Sequence, residues 1–165
     1  MLLEVKNLNK SFHVNDKSIQ ILNDLSFSIN CNEIVSIYGA SGSGKSTLLN
    51  IISGLMSFDS GNISFDNQLM DSRFNFNAFR KQDLGIVFQE DYLLLEFTVI
   101  ENIMLPHIIA GNSNKDAYGK AYDLLEKFNL LSIKNNYPNI LSGGEKQRIS
   151  ILRAIINNPK LILAD

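Results

Sequence analysis

Apolar positions along this chain recur with two spacings, and the spacing changes near the middle. Leu25, Phe27 and Ile29 alternate with Ser26 and Ser28, the period of a half-buried strand. Residues 34–38 are a short, mostly apolar run that stops at Gly39, as expected of a strand buried on both faces. A helix is predicted from about Lys45 to Ser53, with Gly54 as its stop. Ser60, Gly61 and Asn62 read as a turn into Ile63 and Phe65, another alternating strand. Residues 84–88 form a further apolar strand that ends at Gln89.

Beyond that point the period is helical. Thr98 and Glu101 have capping-box spacing and open a helix that Pro106 kinks and Gly111 ends. Over residues 114–128, Ala117, Ala121, Leu124, Leu125 and Phe128 mark one helical face. Ser142 and Glu145 form a second capping box. Its helix runs to about Asn157, where Asn158-Pro159 forbids continuation. Residues 161–164 are a last apolar strand before Asp165.

Composition narrows the function classes. With 165 residues, 45% hydrophobic and 19% charged, the chain suits one ordinary globular domain. A net charge of −2 argues against nucleic-acid binding through bulk positive charge. The greasiest stretch, residues 92–106, is interrupted by Glu96, Glu101 and Asn102, so no membrane span is expected. Met-Leu-Leu-Glu-Val-Lys at the start lacks the basic and apolar regions of a signal peptide. The single cysteine, Cys31, fits a reducing compartment and reads as a turn thiol without a role. A cytoplasmic chain is expected. His13 and His107 lack metal-ligand neighbours at useful spacing. Asn114-Lys115-Asp116 looks like a guanine-reading motif, but its spacing is wrong by one residue.

The candidate chemistry begins at Gly39-Ala40-Ser41-Gly42-Ser43-Gly44-Lys45-Ser46, a full match to G-x-x-x-x-G-K-[ST] between an apolar run and a predicted helix. Glycines let the backbone curl so that successive N–H groups point at phosphate oxygens, and the helix N-terminus adds partial positive charge. Lys45 would reach the outer phosphates, and the Ser46 hydroxyl would be a magnesium ligand. Thr47 completes the nucleotide-binding set. A chance match in a chain of this length is on the order of one in a hundred or rarer.

Leu141-Ser142-Gly143-Gly144-Glu145-Lys146-Gln147-Arg148 resembles the signature sequence of ATP-binding cassette ATPases, in the variant with glutamate at the fifth position. From there to Asp165 the order also resembles that family: signature helix, Asn-Pro turn, Walker B strand. The resemblance implies an α/β fold, with a P-loop NTPase core of RecA-like, mostly parallel sheet, N-terminal antiparallel strands and a helical insert. Residues 1–90 and 158–165 would form the core, and 91–157 the helical subdomain. The resemblance implies that Ser142, Gly143, Gly144 and Glu145 meet the γ-phosphate held by a second subunit, so that ATP lies between two copies paired head to tail. Gln89 would be the Q-loop glutamine, contacting magnesium and the attacking water. Lys45 and Gln89 are thus the catalytic candidates, with Ser46, Gln89 and Asp165 around Mg2+. Phe12 stands where the family carries an aromatic that stacks on adenine, usually tyrosine. A phenylalanine packed in the core is the other reading.

Two departures stand out. The family's glycine before the glutamate of the P-loop strand is replaced in Asn30-Cys31-Asn32-Glu33, where Asn32 can take left-handed angles. The resemblance also implies a catalytic glutamate and a switch histidine after Asp165. As written the chain is expected to be incomplete at its C-terminus, to bind nucleotide and to hydrolyse it poorly.

Residues 91–103, with Leu105-Pro106, resemble the subgroup of lipoprotein-release, macrolide-export and cell-division ATPases, with lipoprotein release first among them. That implies a place on the inner face of the cell membrane, with a permease docking near Tyr92, Leu93 and Phe97. The same side chains could instead pack inward. Two rivals stay open: a module that binds nucleotide and dimerises without hydrolysis, and a soluble cassette ATPase with no membrane partner. Against the latter stand the absence of a heptad insertion, of a cysteine pair and of basic excess.

Overall fold

Strands β1 (Leu3–Val14) and β2 (Lys17–Ile29) pair antiparallel, and β1 pairs on its other edge with β3 (Ser60–Phe65). The short β4 (Gln68–Leu69) completes a four-stranded sheet in the order β2-β1-β3-β4. In this computed structural model, residues 1–15 and 17–165 are described, and they fall into two compact units, Met1–Phe76 and Asn77–Asp165. Alternation decides which face of the first sheet is buried. Leu3 lies opposite Phe65 and Val5 opposite Ile63, and all four are buried, while Glu4 and Lys6 turn outward as an ion pair. Helix α1 (Lys45–Ile52) buries Leu48, Ile51 and Ile52 and ends at Ser53 and Gly54, the latter at φ 70, as its sequence predicts.

Ser60-Gly61-Asn62 is not a turn. These residues are the start of β3, paired with β1 across a register shift between Lys6 and Asn9. Gly61 lies at φ 108, and a Cβ there would come within 2.5 Å of the Asn7 carbonyl oxygen. The glycine serves a close backbone approach at a bulge, which the turn reading mistook for a reversal.

A larger departure lies between β2 and α1. Residues 34–38 form no strand. Ile34 is 96% and Tyr38 90% exposed, and among the described residues no strand pairs with this run. Apolar composition states what a segment gains by burial, whereas a strand also needs neighbours to complete its hydrogen-bond ladder. The turn just before it is as expected, with Asn32 at φ 62.

In the second unit, helix α2 (Phe76–Gln82) leads into β5 (Leu84–Val87), which pairs in parallel with β6 (Leu161–Ala164). Between these strands come α3 (Val99–Ile109), α4 (Asn114–Lys127) and α5 (Gly143–Ile155), with two 3-10 turns at Leu131–Ile133 and Pro138–Ile140. The helices share one apolar cluster, to which α3 contributes Val99 and Ile103, α4 Ala121 and Leu125, and α5 Ile149 and Leu152. The face foreseen for α4 is the buried one, except that Phe128 lies past its end and is exposed. Asn114-Lys115-Asp116 is the first turn of α4, and its Asp116 carboxylate accepts from the buried His107 ring. Among the described residues, no helix is long and apolar enough to cross a membrane.

Candidate functional site

The glycine loop sits in the first unit, between the exposed run and α1. Gly42 and Gly44 take φ 79 and 93, left-handed values that a side chain would resist. A Cβ on Gly44 would also come within 2.6 Å of the Ile21 methyl, so this position is closed to any other residue. The Ser43 amide donates to the Ala40 carbonyl at 3.2 Å, and the Lys45 ammonium donates to the Gly39 and Ala40 carbonyls at 2.9 and 2.8 Å. Helix α1 starts at Gly44 with no side-chain cap and no acidic residue in its first turn. The amides of Lys45, Ser46 and Thr47 therefore keep their donors and the helix keeps its positive end, beside a lysine. That arrangement is an anion cradle.

The two other long helices with acidic first turns and full capping boxes behave differently. In α5 the Ser142 hydroxyl accepts from the Glu145 amide at 3.3 Å, and the Glu145 carboxylate accepts from the Ser142 amide and hydroxyl at 2.8 and 2.6 Å. The bond from the Ser142 hydroxyl, and then that from its amide, hold the Glu145 carboxyl below the ordinary glutamate value. The box uses two donors. Gly143 and Gly144 lie between them, exposed, and a Cβ on either would meet nothing within 4 Å. Glycine lowers helix stability, and nothing in the chain's own packing requires it at these positions.

Gln89 and Asp165 lie at the carboxyl edge of the parallel pair. The Asp165 amide donates to the Val87 carbonyl at 2.9 Å, which sets Asp165 beside the end of β5, two residues before Gln89. Both side chains are exposed. Carboxyl edges of parallel strands are where α/β proteins hold ligands. Among the described residues, no group of three His, Cys, Asp or Glu side chains could hold a metal alone. Gln89 and Asp165 offer amide and carboxylate oxygens, and Ser46 in the first unit a hydroxyl, all hard donors of the kind that suits Mg2+. Phe12, on β1 opposite Ile19, is exposed rather than core-packed, with the Lys10 ammonium 5.4 Å from its ring centroid.

The segment after Gln89 borders a groove of about 510 Å3, whose other wall is one face of α5 at Gly143, Gln147 and Ser150. The Ser150 hydroxyl is buried and has no hydrogen-bond partner among the described residues. Tyr92, Leu95 and Phe97 are exposed, but Leu93 is only 7% exposed and belongs to the helical cluster. Leu93 is therefore no surface anchor, because it packs into the apolar cluster of the helices. Leu95, which the sequence reading passed over, stands outside.

Two residues that shape this segment carried no sequence signal. Asn102, fully buried on α3, accepts from the Leu94 amide at 2.8 Å and donates to the carbonyls of Leu94, Phe97 and Thr98 at 3.0 Å each. Arg153, on α5, donates to the carbonyls of Asp91 and Tyr92. In the sequence the first looks like a polar helix position and the second like a surface charge.

Known proteins carry the same organisation. A family profile described as "ABC transporter" matches residues 22–165. The chain is 46% identical over 164 residues to "Lipoprotein-releasing system ATP-binding protein LolD" of Treponema denticola, covering 98% of this chain and 72% of that protein. It is 42% identical over 166 residues to "Putative hemin import ATP-binding protein HrtA" of Staphylococcus haemolyticus, covering all of this chain and 75% of that protein. Among solved structures it is similar to the dimeric, post-hydrolysis ATP-binding cassette MJ0796 bound to ADP and Pi. There the TM-score is 0.90 and the identity 36%, with 99% of this chain and 73% of the other covered.

Proposed function

The chain belongs to the ABC transporter family of ATPases, and from that premise we propose that it is the ATP-binding subunit of a lipoprotein-releasing transporter, working through a membrane permease. One observation carries the reading: the first turn of α5, where two exposed glycines between the capping partners weaken a helix without serving its packing. Such a turn suits a phosphate brought by another subunit, because the main chain at Gly143 and Gly144 carries no side chain to block its approach.

In this reading the loop from Gly39 to Ser46, with Thr47, cradles the phosphates of ATP. Lys45 leaves the Gly39 and Ala40 carbonyls for the outer phosphates, an exchange of weak acceptors for charged ones. Ser46, Gln89 and Asp165 hold Mg2+, which offsets phosphate charge when bound. Gln89 orients water, and Phe12 stacks on the base, worth about 1–3 kcal/mol. Ser142, Gly143, Gly144 and Glu145 close on the nucleotide of a second subunit, head to tail. The dimeric cassette MJ0796 with ADP and Pi supports such a pairing. Tyr92, Leu95 and Phe97 offer apolar anchors to the permease, and a chain docked there would lie at the inner face of the membrane.

The test is a Mg-ATP titration with a size measurement, on wild type and Lys45→Ala, alone and with the permease. Wild type is expected to bind Mg-ATP, pair in its presence and co-purify with the permease, and Lys45→Ala to bind at least tenfold more weakly. Equal binding by the two proteins would overturn the nucleotide site. Binding without permease association would overturn the transport role.

A further inference from the structure

Arg153 ties α5 to the segment that follows Gln89 with the geometry of a fork. Its Nη2 donates to the Asp91 carbonyl at 2.6 Å and its Nη1 to the Tyr92 carbonyl at 2.8 Å, across 62 and 61 residues of sequence. A planar guanidinium bound to two successive carbonyls fixes the direction of the peptide between them, which a lysine cannot do. That peptide needs holding. Tyr92 sits at φ 42, a left-handed angle costly for a bulky residue, and such positions persist only where neighbours over-determine them. The Asp91 carboxylate shapes the same turn by accepting from the Leu93 amide at 3.1 Å. Arg153 is half-buried, and burial lowers the pKa of its guanidinium while nearby Asp91 opposes the change. A half-buried charge kept at this cost argues for the two bonds rather than for solvation.

The segment thus has two moorings. Asn102 holds residues 94–98 to α3, and Arg153 holds residues 91–92 to α5. Helix α5 runs unbroken from Gly143 to Ile155, and a helix of this length transmits displacement as a rod. We infer that Arg153 is a positioning residue that locks the segment bearing Tyr92, Leu95 and Phe97 to the signature helix, so that pressure from the permease on one displaces Gly143 and Gly144 on the other. The inference rests on the proposed function for its partner, but the lock itself does not. Arg153 acts through the main chain of Asp91 and Tyr92, and the coupling concerns ATP-driven pairing rather than nucleotide affinity.

The experiment uses Arg153→Met and Arg153→Lys in the protein together with its permease, and reads two quantities. Amide exchange at Leu93 and Leu94 is expected to quicken at least tenfold in Arg153→Met, with the amides of Ile149 and Leu152 as protected as in wild type. ATP-driven pairing in the presence of the permease is expected to fall tenfold or more while the Kd for Mg-ATP stays within twofold. Arg153→Lys, able to reach one carbonyl, should recover part of the pairing. Unchanged exchange at Leu93 and Leu94 would sink the lock. Faster exchange with unchanged pairing, or a rise in Kd for Mg-ATP that parallels the loss of pairing, would sink the coupling. A wild-type protein that does not pair with ATP in the presence of its permease overturns the functional reading and the coupling with it, while the exchange readout still decides the lock. Where Arg153→Met does not fold, Arg153→Lys carries both measurements.

Discussion

Glycine is used in two opposite ways in this chain: at one position the fold demands it, at the other the fold does not. Gly44 takes a left-handed angle against the Ile21 side chain, so its lack of a Cβ is demanded by the protein itself. Gly144 lies in open space in a helix, where alanine would fit. Substituting Gly144→Ala should therefore leave stability unchanged or raise it by up to about 1 kcal/mol, since alanine is the better helix former. Under the proposed function the same change should weaken ATP-driven pairing at least tenfold, because the methyl group stands where a phosphate would approach. Thermal melting and an ATP-dependent size measurement read the two effects separately. A stabilised variant that still pairs normally would leave the glycine pair without a purpose.

Helix ends carry most of the local electrostatics. In α3 and α5 a glutamate at the third position turns back onto the cap, and the Thr98 and Ser142 bonds hold Glu101 and Glu145 below their ordinary pKa of 4.5. The hydrogen bond from His107 does the same for Asp116, whose ordinary value is 3.8. The sign follows from linkage. A carboxyl with a depressed folded-state pKa contributes stability that is fully present above its unfolded value and is lost as pH falls through the folded one. Melting temperature should thus be level from neutral pH to about pH 5.5 and decline below about pH 4.5. Replacing both caps, Thr98→Ala with Ser142→Ala, should lower stability by about 1 kcal/mol per cap at neutral pH and flatten the acid decline. An unaltered acid profile in the double variant would show that other carboxyls govern it.

At the scale of the whole molecule, the exposed run at residues 34–38 is the feature least like a finished surface. Ile34, Val35, Ile37 and Tyr38 are all exposed in a β-prone stretch with open backbone donors and acceptors. Such a segment is a template for pairing with other chains, and a net charge of only −2 does little to oppose association. Light scattering of the 165-residue chain should show self-association, and Ile34→Lys with Ile37→Lys should reduce it without changing the far-ultraviolet circular dichroism. Equal association of parent and variant would assign the effect to another surface.

The sequence by itself determined the features that depend on neighbours close along the chain. Both capping boxes, the stop at Gly54, the left-handed Asn32, the glycine loop before α1 and the apolar face of α4 follow from spacing, because their causes lie within a few residues. The family could be recognised from Leu141 to Arg148 for the same reason: main-chain phosphate binding needs glycines at fixed intervals. Tertiary structure decided whatever depends on distant partners. Whether residues 34–38 pair, whether Gly61 makes a turn or a bulge, and whether Leu93 or Leu95 faces outward depend on residues that spacing does not name. Asn102 and Arg153 belong to the same class. Their carbonyl partners lie up to 62 residues away, and a hydrogen bond to a main-chain oxygen leaves no mark in the identity of the residue that accepts it.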